Sequence, residues 1–242
     1  MDFTLSKYKE LLVALQLHKH HSIKHDVDKR PLLSLRIAEI ESSIGIHSSY
    51  YFRSKDFTSH SDIIQRIAGM GHTIGYHYET LATCRGNEKE AYELFITELN
   101  QLRQLASVKT ACAHGSPLSP FNNQNLWNQY DIHTLGINFE PMIDTDFSQT
   151  IYLTDTGRRW DGDSVSIRDK VLQQPEMIKI HSTDDIIQAL NNPEHPIQKY
   201  HLLINTHPQR WMSFGPSWLK EAILQYLKNI VKRLINSHHP HV

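Results

Sequence analysis

The feature that most constrains this chain is an alternation: short apolar runs of strand length take turns with helical stretches, and polar clusters sit where the runs end. Leu5, Tyr8, Leu11, Leu12 and Leu15 recur at helical spacing and predict an opening helix over about residues 4–17. Ser22–Val27 then reads as a strand, and Pro31 is placed to open a helix carrying Leu33, Ile37, Ile40 and Ile44. Gly45 stops that helix, and the aromatic run in Ser48–Phe52 reads as a second strand. A helix with Ile63, Ile64 and Ile67 follows, then a strand over His72–Gly75. Asn87 with Glu90 caps a long helix whose face is Tyr92, Phe95, Leu99, Leu102 and Leu105.

Further strands are expected near Thr110–Ala113, Thr134–Ile137, Ile151–Leu153, Met177–Ile180 and His201–Asn205. A last helix carries a wide apolar stripe of Trp218, Leu219, Ile223, Tyr226, Leu227, Ile230, Val231 and Leu234. Short strands separated by helices predict an α/β fold, a distorted (β/α) barrel of about seven parallel strands. With 242 residues, no repeat and no linker, one domain over residues 1–242 is the expectation.

Composition narrows the function classes. Twenty-five basic against 26 acidic residues leave a formal charge of −1, so no sequence-wide positive field favours nucleic acid. Cys84 and Cys112 form neither a CxxC pair nor a disulfide framework and read as free thiols. The stretch from Met1 to Lys19 lacks the apolar core of a signal peptide, and no apolar run reaches the roughly 18 residues of a membrane span, so a cytoplasmic protein is expected. His18, His20, His21, His238, His239 and His241 read as solvated surface residues.

The strand ends carry the chemistry. His25-Asp26-Val27-Asp28, Tyr76-His77-Tyr78-Glu79, His114-Gly115-Ser116-Pro117, Thr154-Asp155-Thr156-Gly157-Arg158-Arg159 and Asn205-Thr206-His207-Pro208 all fall there, as active-site residues of parallel α/β barrels do. Aspartates two apart at a strand end point the same way. One carboxylate can then hold a divalent cation while the other takes a proton from water. The same pair could instead cap the helix opened by Pro31, and spacing alone leaves both readings open.

In order and spacing, His25-Asp26-Val27-Asp28, Gly71-His72-Thr73-Ile74-Gly75-Tyr76-His77 and Leu202-Leu203-Ile204-Asn205-Thr206-His207 resemble the polysaccharide deacetylase family over about residues 22–210. The resemblance implies a catalytic base at Asp26, metal ligands at Asp28 and His77, and a general acid at His207. It departs at Leu81, where the family places a second metal-binding histidine. Catalytic zinc commonly takes three protein ligands. His114 is the replacement expected here, with Glu79 and His25 as alternatives. The loop Leu153–Gly162 brings Asp155, Arg158, Arg159 and Trp160, and Arg210 follows His207, so these five are the expected substrate-binding residues; the plain alternative is a surface loop with internal ion pairs.

The function implied is a metal-dependent deacetylase, with zinc as the cation, removing an N-acetyl or other acyl group from a sugar. The expected substrate is a nucleotide- or lipid-linked sugar of surface polysaccharide synthesis. Two other readings stand beside it: a catalytically degenerate carbohydrate-binding or scaffolding protein with the same fold, for which Leu81 speaks, and a metal hydrolase acting on a non-sugar amide.

Overall fold

The computed structural model describes residues 1–116, 119–161, 171, 175 and 180–238, with side chains described as far as residue 231. Among these residues, six parallel strands form one sheet. They are β1 (His21–Val27), β2 (Ser49–Phe52), β3 (Thr73–Tyr78), β4 (Val108–Ala113), β5 (Thr150–Thr154) and β6 (His201–Thr206), in spatial order β4-β3-β2-β1-β6-β5. The helices are α1 (Leu5–Leu15), α2 (Pro31–Ser43), α3 (Ser61–Gly69), the single turn α4 (Thr80–Thr83), α5 (Glu88–Arg103), the short α6 (Pro141–Asp144), α7 (Thr183–Asn191) and α8 (Pro216–His238). The α/β class expected from the alternation is the one that forms.

Local chemistry sets the helix ends. The Thr4 hydroxyl accepts from the Lys7 amide at α1, Asn87 accepts from the Glu90 amide at α5, and Ser182 with Asp185 closes a capping box at α7. Pro31 opens α2 as its lack of an N–H suggests.

Two expectations change and one is untouched. The strand expected at Thr134–Ile137 is instead a 3₁₀ turn, Ile132–Leu135, and the parallel contact falls later, as a single bridge between Thr110 and Phe139. Strand β3 runs three residues past Gly75, so His77 lies on the strand itself. The strand expected at Met177–Ile180 lies outside the described residues except for Ile180, which is buried.

The sheet's two faces have different jobs because side chains alternate along each strand. Ile23, His25 and Val27 face the helices, where Ile23 and Val27 join a core with Leu11, Leu15, Ile37, Ile67, Phe95 and Ile204. His25 is tied into a buried cluster centred on Glu41 of α2, which accepts from His25 Nε2 at 2.9 Å, Tyr50 OH at 2.6 Å, Ser48 Oγ at 2.9 Å and Tyr8 OH at 2.5 Å. A buried carboxylate given this many donors keeps its charge without water.

The opposite face is polar. Lys24 and Asp26 of β1, Tyr51 of β2, His77 of β3, Cys112 of β4 and Asn205 of β6 are all buried there. Gly75 belongs to this face for a steric reason, since a Cβ on it would run into the Tyr51 ring.

Candidate metal centre

The carboxyl ends of the parallel strands bring four of the expected residues together. Asp28 Oδ1 lies 3.5 Å from His77 Nε2 and 3.4 Å from His114 Nε2, and Asp28 Oδ2 lies 3.8 Å from His207 Nε2. The chain turns directly at the end of β1, where the Asp28 amide donates to the Asp26 carbonyl at 3.0 Å. Lys55 Nζ holds the Asp28 carbonyl at 2.6 Å.

The two imidazoles turn their Nε2 atoms toward Asp28. His77 Nδ1 donates to the Cys112 carbonyl at 3.0 Å, and His114 Nδ1 lies 3.0 Å from Glu79 Oε2 and 3.0 Å from Ser116 Oγ. A proton fixed on Nδ1 leaves Nε2 as the electron-pair donor, and a carboxylate behind a histidine is a usual support for a metal ligand. Asp28 Oδ1 is buried with no hydrogen-bond partner.

These three atoms fit a divalent cation. Bond lengths of roughly 2.0–2.2 Å put the ligand atoms of a tetrahedral site about 3.3–3.6 Å apart, and the two separations at Asp28 Oδ1 fall in that range. A second group, Asp26, His77 and Cys112, is also close enough to share an ion. It already holds a cation: Lys24 Nζ donates to both Asp26 carboxylate oxygens at 2.9 Å and lies 3.3 Å from Cys112 Sγ. A divalent ion there would face that ammonium directly, so the site at Asp28 is the better one.

Charge around the centre follows from the same contacts. Burial pushes the Asp26 carboxyl up, but Lys24, His77 and His207 outweigh it and hold the group below the usual carboxylate range. Burial works the same way on Asp28, and the three imidazoles around it hold it well down. Burial alone would lower the His77 pKa, yet Asp26 and Asp28 raise it. At Glu79 burial is opposed by His114 and Arg53, and the carboxyl is lowered to about 2.

Asp26 is fixed from two further sides, with Asn205 Nδ2 donating to its Oδ2 at 2.9 Å and to Tyr152 OH at 2.9 Å. His207 is fixed by Asp155. Its Nδ1 lies 2.6 Å from Asp155 Oδ1 and its amide donates to Oδ2 at 3.0 Å. The same carboxylate accepts from Arg210 Nη1 at 2.5 Å and Trp211 Nε1 at 2.8 Å.

The alternatives and the expected substrate residues are placed elsewhere. His25 points to the helix side of the sheet and cannot reach Asp28. Glu79 pairs with Arg53 and backs His114 instead of facing the centre. Leu81 is buried in a separate apolar cluster with Ala91 and Leu126.

Asp155 is fully buried behind His207, and Arg210 is buried against it, so neither is a surface for substrate. The Arg158 guanidinium lies 4.8 Å from the Trp218 ring and 5.2 Å from the Phe3 ring, Arg159 pairs with Asp161 at 2.7 Å, and Trp160 is buried with its Nε1 donating to Thr183 at 2.9 Å. Arg158 and Arg159 also line a pocket of about 400 Å³ with Phe3, Gly157, His181 and Trp218. His18, expected in solvent, is buried between Gln198 and the Tyr200 carbonyl. Cys84 and Cys112 are free thiols.

Sequence reasoning missed Lys24, Asn205 as a positioning group, and Arg53. The signal for Lys24 lay in the sequence: a lysine two residues before Asp26, on the same side of the strand. A cleft of about 560 Å³ opens beside His114 and Glu79, walled by Thr83, Arg85, Ser119 and Phe121.

Fold and centre together define a parallel α/β chain with a half-buried Asp/His cluster at its strand ends, spaced as metal ligands can be. No family model matches the sequence, and no curated protein matches it significantly. Among solved structures the chain is similar to a CE4 esterase of Streptococcus mutans, at 14% identity over 98% of this chain and 89% of that one, with a TM-score of 0.48. It is similar to a family 4 carbohydrate esterase from Bacillus anthracis, at 11% identity over 96% and 90%, TM-score 0.46. A third is a CE4 family pseudoenzyme from Bacillus anthracis, at 13% identity over 89% of this chain and 62% of that one, TM-score 0.46. The chain thus spans less than two thirds of that pseudoenzyme. Nothing about the centre's chemistry follows from likenesses this distant.

Proposed function

We propose that the chain is a metal-dependent hydrolase of the polysaccharide deacetylase kind that removes an acyl group, N-acetyl first among them, from a sugar or sugar conjugate of surface polysaccharide synthesis. The observation that carries this is the convergence of Asp28 Oδ1, His77 Nε2 and His114 Nε2, with the first of these buried and lacking any hydrogen bond. Asp28, His77 and His114 hold the cation, and one carboxylate oxygen with two imidazole nitrogens suits zinc. Bound there, it supplies Lewis-acid stabilisation of charge on the acyl oxygen.

The chain's own residues do the rest. Asp26, charged and held by Lys24 and Asn205, accepts a proton from the attacking water. His207 Nε2 faces the centre and delivers a proton to the leaving amine, while Asp155 on Nδ1 stabilises the imidazolium that carries it. The cleft walled by Arg85 and Phe121 receives the sugar.

The test is metal content and acetate release. Wild-type protein dialysed against zinc should retain about one equivalent and release acetate from N-acetylated sugars, and Asp28→Ala and His77→Ala should lose the metal. Asp26→Asn should keep the metal and lose turnover. Full metal occupancy in both ligand variants, or an active Asp26→Asn enzyme, overturns the assignment.

A further inference from the structure

Helix α8 is docked the wrong way round for a core helix. Beside half-buried Trp218 and Ala222, the two side chains it buries are polar: Gln225 and Asn229 are bonded to each other at 2.8 Å, and Asn229 Nδ2 donates to the Gly157 carbonyl at 2.8 Å. The stripe of Leu219, Ile223, Tyr226, Leu227 and Val231 is on the outside, each more than half exposed, with Leu224 and Ile230 beside it. Seven large apolar side chains exposed on one helix make an apolar face of the kind that marks an interaction site.

Charge says what covers it. The sequence of α8 holds Lys220, Lys228, Lys232 and Arg233 against one acid, Glu221. Glu221 is turned toward the body, 3.7 Å from Arg30, while Lys220 and Lys228 are exposed beside the apolar stripe. A second copy laid on the same face would bring these lysines against their own kind with no exposed carboxylate of the helix to meet them. An anionic lipid surface takes the apolar side chains into its acyl boundary and the lysines at its headgroups. No helix among the described residues is long and apolar enough to cross a membrane, so the helix would lie in the interface.

The position of α8 gives this a purpose. Its inward contacts include Glu221 to Arg30, two residues beyond Asp28, and Asn229 to Gly157, two residues beyond Asp155, besides those of Trp218 to the Asp2 and Phe3 carbonyls. The helix therefore runs beside the same strand ends that hold the candidate centre. We infer that α8 seats this protein on an anionic lipid surface with the strand-end centre beside the headgroups. On the hydrolase reading above, which this last step rests on, the substrate class is an acylated sugar carried on a lipid phosphate.

The test is vesicle pelleting of the full chain. Wild-type protein should pellet with vesicles of one part phosphatidylglycerol to two parts phosphatidylcholine at low salt and stay in solution with phosphatidylcholine alone. Each lysine near an anionic surface contributes about fivefold in affinity, so Lys220→Gln with Lys228→Gln should weaken pelleting by roughly tenfold or more. Leu219→Glu with Ile223→Glu and Leu227→Glu should abolish it. If that triple variant does not fold, the lysine variant, which alters only exposed charges, decides.

Failure of wild-type protein to pellet overturns the inference, as does pelleting that ignores both variants. Light scattering showing a wild-type dimer that becomes a monomer in the triple variant also overturns it, by making a second copy the occupant. Pelleting needs no turnover. Protein that binds zinc and releases acetate yet ignores vesicles refutes the membrane seat alone, and protein that pellets but never binds metal refutes the hydrolase reading alone.

Discussion

Asp155→Asn tests the most connected part of the site without assuming any activity. The wild-type carboxylate is fully buried and accepts from four donors: the His207 amide, His207 Nδ1, Arg210 Nη1 and Trp211 Nε1. An amide in its place turns a donor toward some of these and leaves Arg210 buried without its counter-charge. Removing one partner of a buried ion pair costs about 3–5 kcal/mol, a fifth or more of the roughly 5–15 kcal/mol that holds an ordinary domain together. With a urea m-value of about 2 kcal/mol/M the unfolding midpoint should fall by roughly 2 M at pH 7. Arg210→Met added to Asp155→Asn should restore part of the loss, because the unpaired charge leaves with it.

The pH dependence has a definite sign. Burial would raise the Asp155 carboxyl, but Arg210 and His207 hold it below its ordinary 3.8. Its contribution is therefore present above about pH 4 and is lost as pH falls further, toward the folded-state value. The gap between wild type and Asp155→Asn should be widest at neutral pH and narrow below pH 4, read from urea midpoints. A shift under about 0.5 M at pH 7 refutes the reasoning, since it means Arg210 finds water or another partner.

His114→Ala should weaken zinc retention more than Glu79→Gln, by 100-fold or more against about 10- to 100-fold for the supporting carboxylate, measured by competition with a chelator; equal effects would remove His114 as a ligand. Leu81→His should not gain metal affinity, because the side chain is packed with Ala91 and Leu126, and it should cost about 2–4 kcal/mol in urea unfolding by burying an unpartnered imidazole. Gly75→Ala should cost about 1–3 kcal/mol through its collision with the Tyr51 ring, and Tyr51→Ala on the same background should relieve part of that cost.

The strand–helix alternation was legible because parallel strands are short, apolar and flanked by cappable helices. It failed where pattern and packing part company. Thr134–Ile137 has the composition of a strand, yet Asp131 caps a 3₁₀ turn there and the chain meets β4 just after it, at Asn138 and Phe139. The apolar stripe of α8 was readable as a stripe, but its direction was not: periodicity gives the width of an apolar face and says nothing about which side the body lies on. His18 was assigned to solvent from its polar neighbours, whereas Gln198 and Tyr200, some 180 positions away, bury it.

The centre was legible to the extent that it lies on strands. Asp26, Asp28, His77 and His207 each lie within one residue of the carboxyl end of a parallel strand, so order along the chain converts directly into adjacency in space. Loop residues carry no such guarantee. Arg158, Arg159 and Trp160 follow β5 on a turn that sets them against Phe3, Trp218, Asp161 and Thr183, with the two arginines lining a pocket apart from the strand-end centre. The same geometry explains how a centre can form with leucine at position 81. That position lies on the one-turn helix α4, past the strand, where a side chain can turn away into the Ala91–Leu126 cluster. His114 follows β4, next to β3 in the sheet, and its amide extends that pairing by donating to the Tyr78 carbonyl at 2.7 Å. A third nitrogen or oxygen for the cation can therefore come from any neighbouring strand whose first residue beyond the ladder is a histidine, and the sheet order, not the spacing of one motif, decides which strand that is.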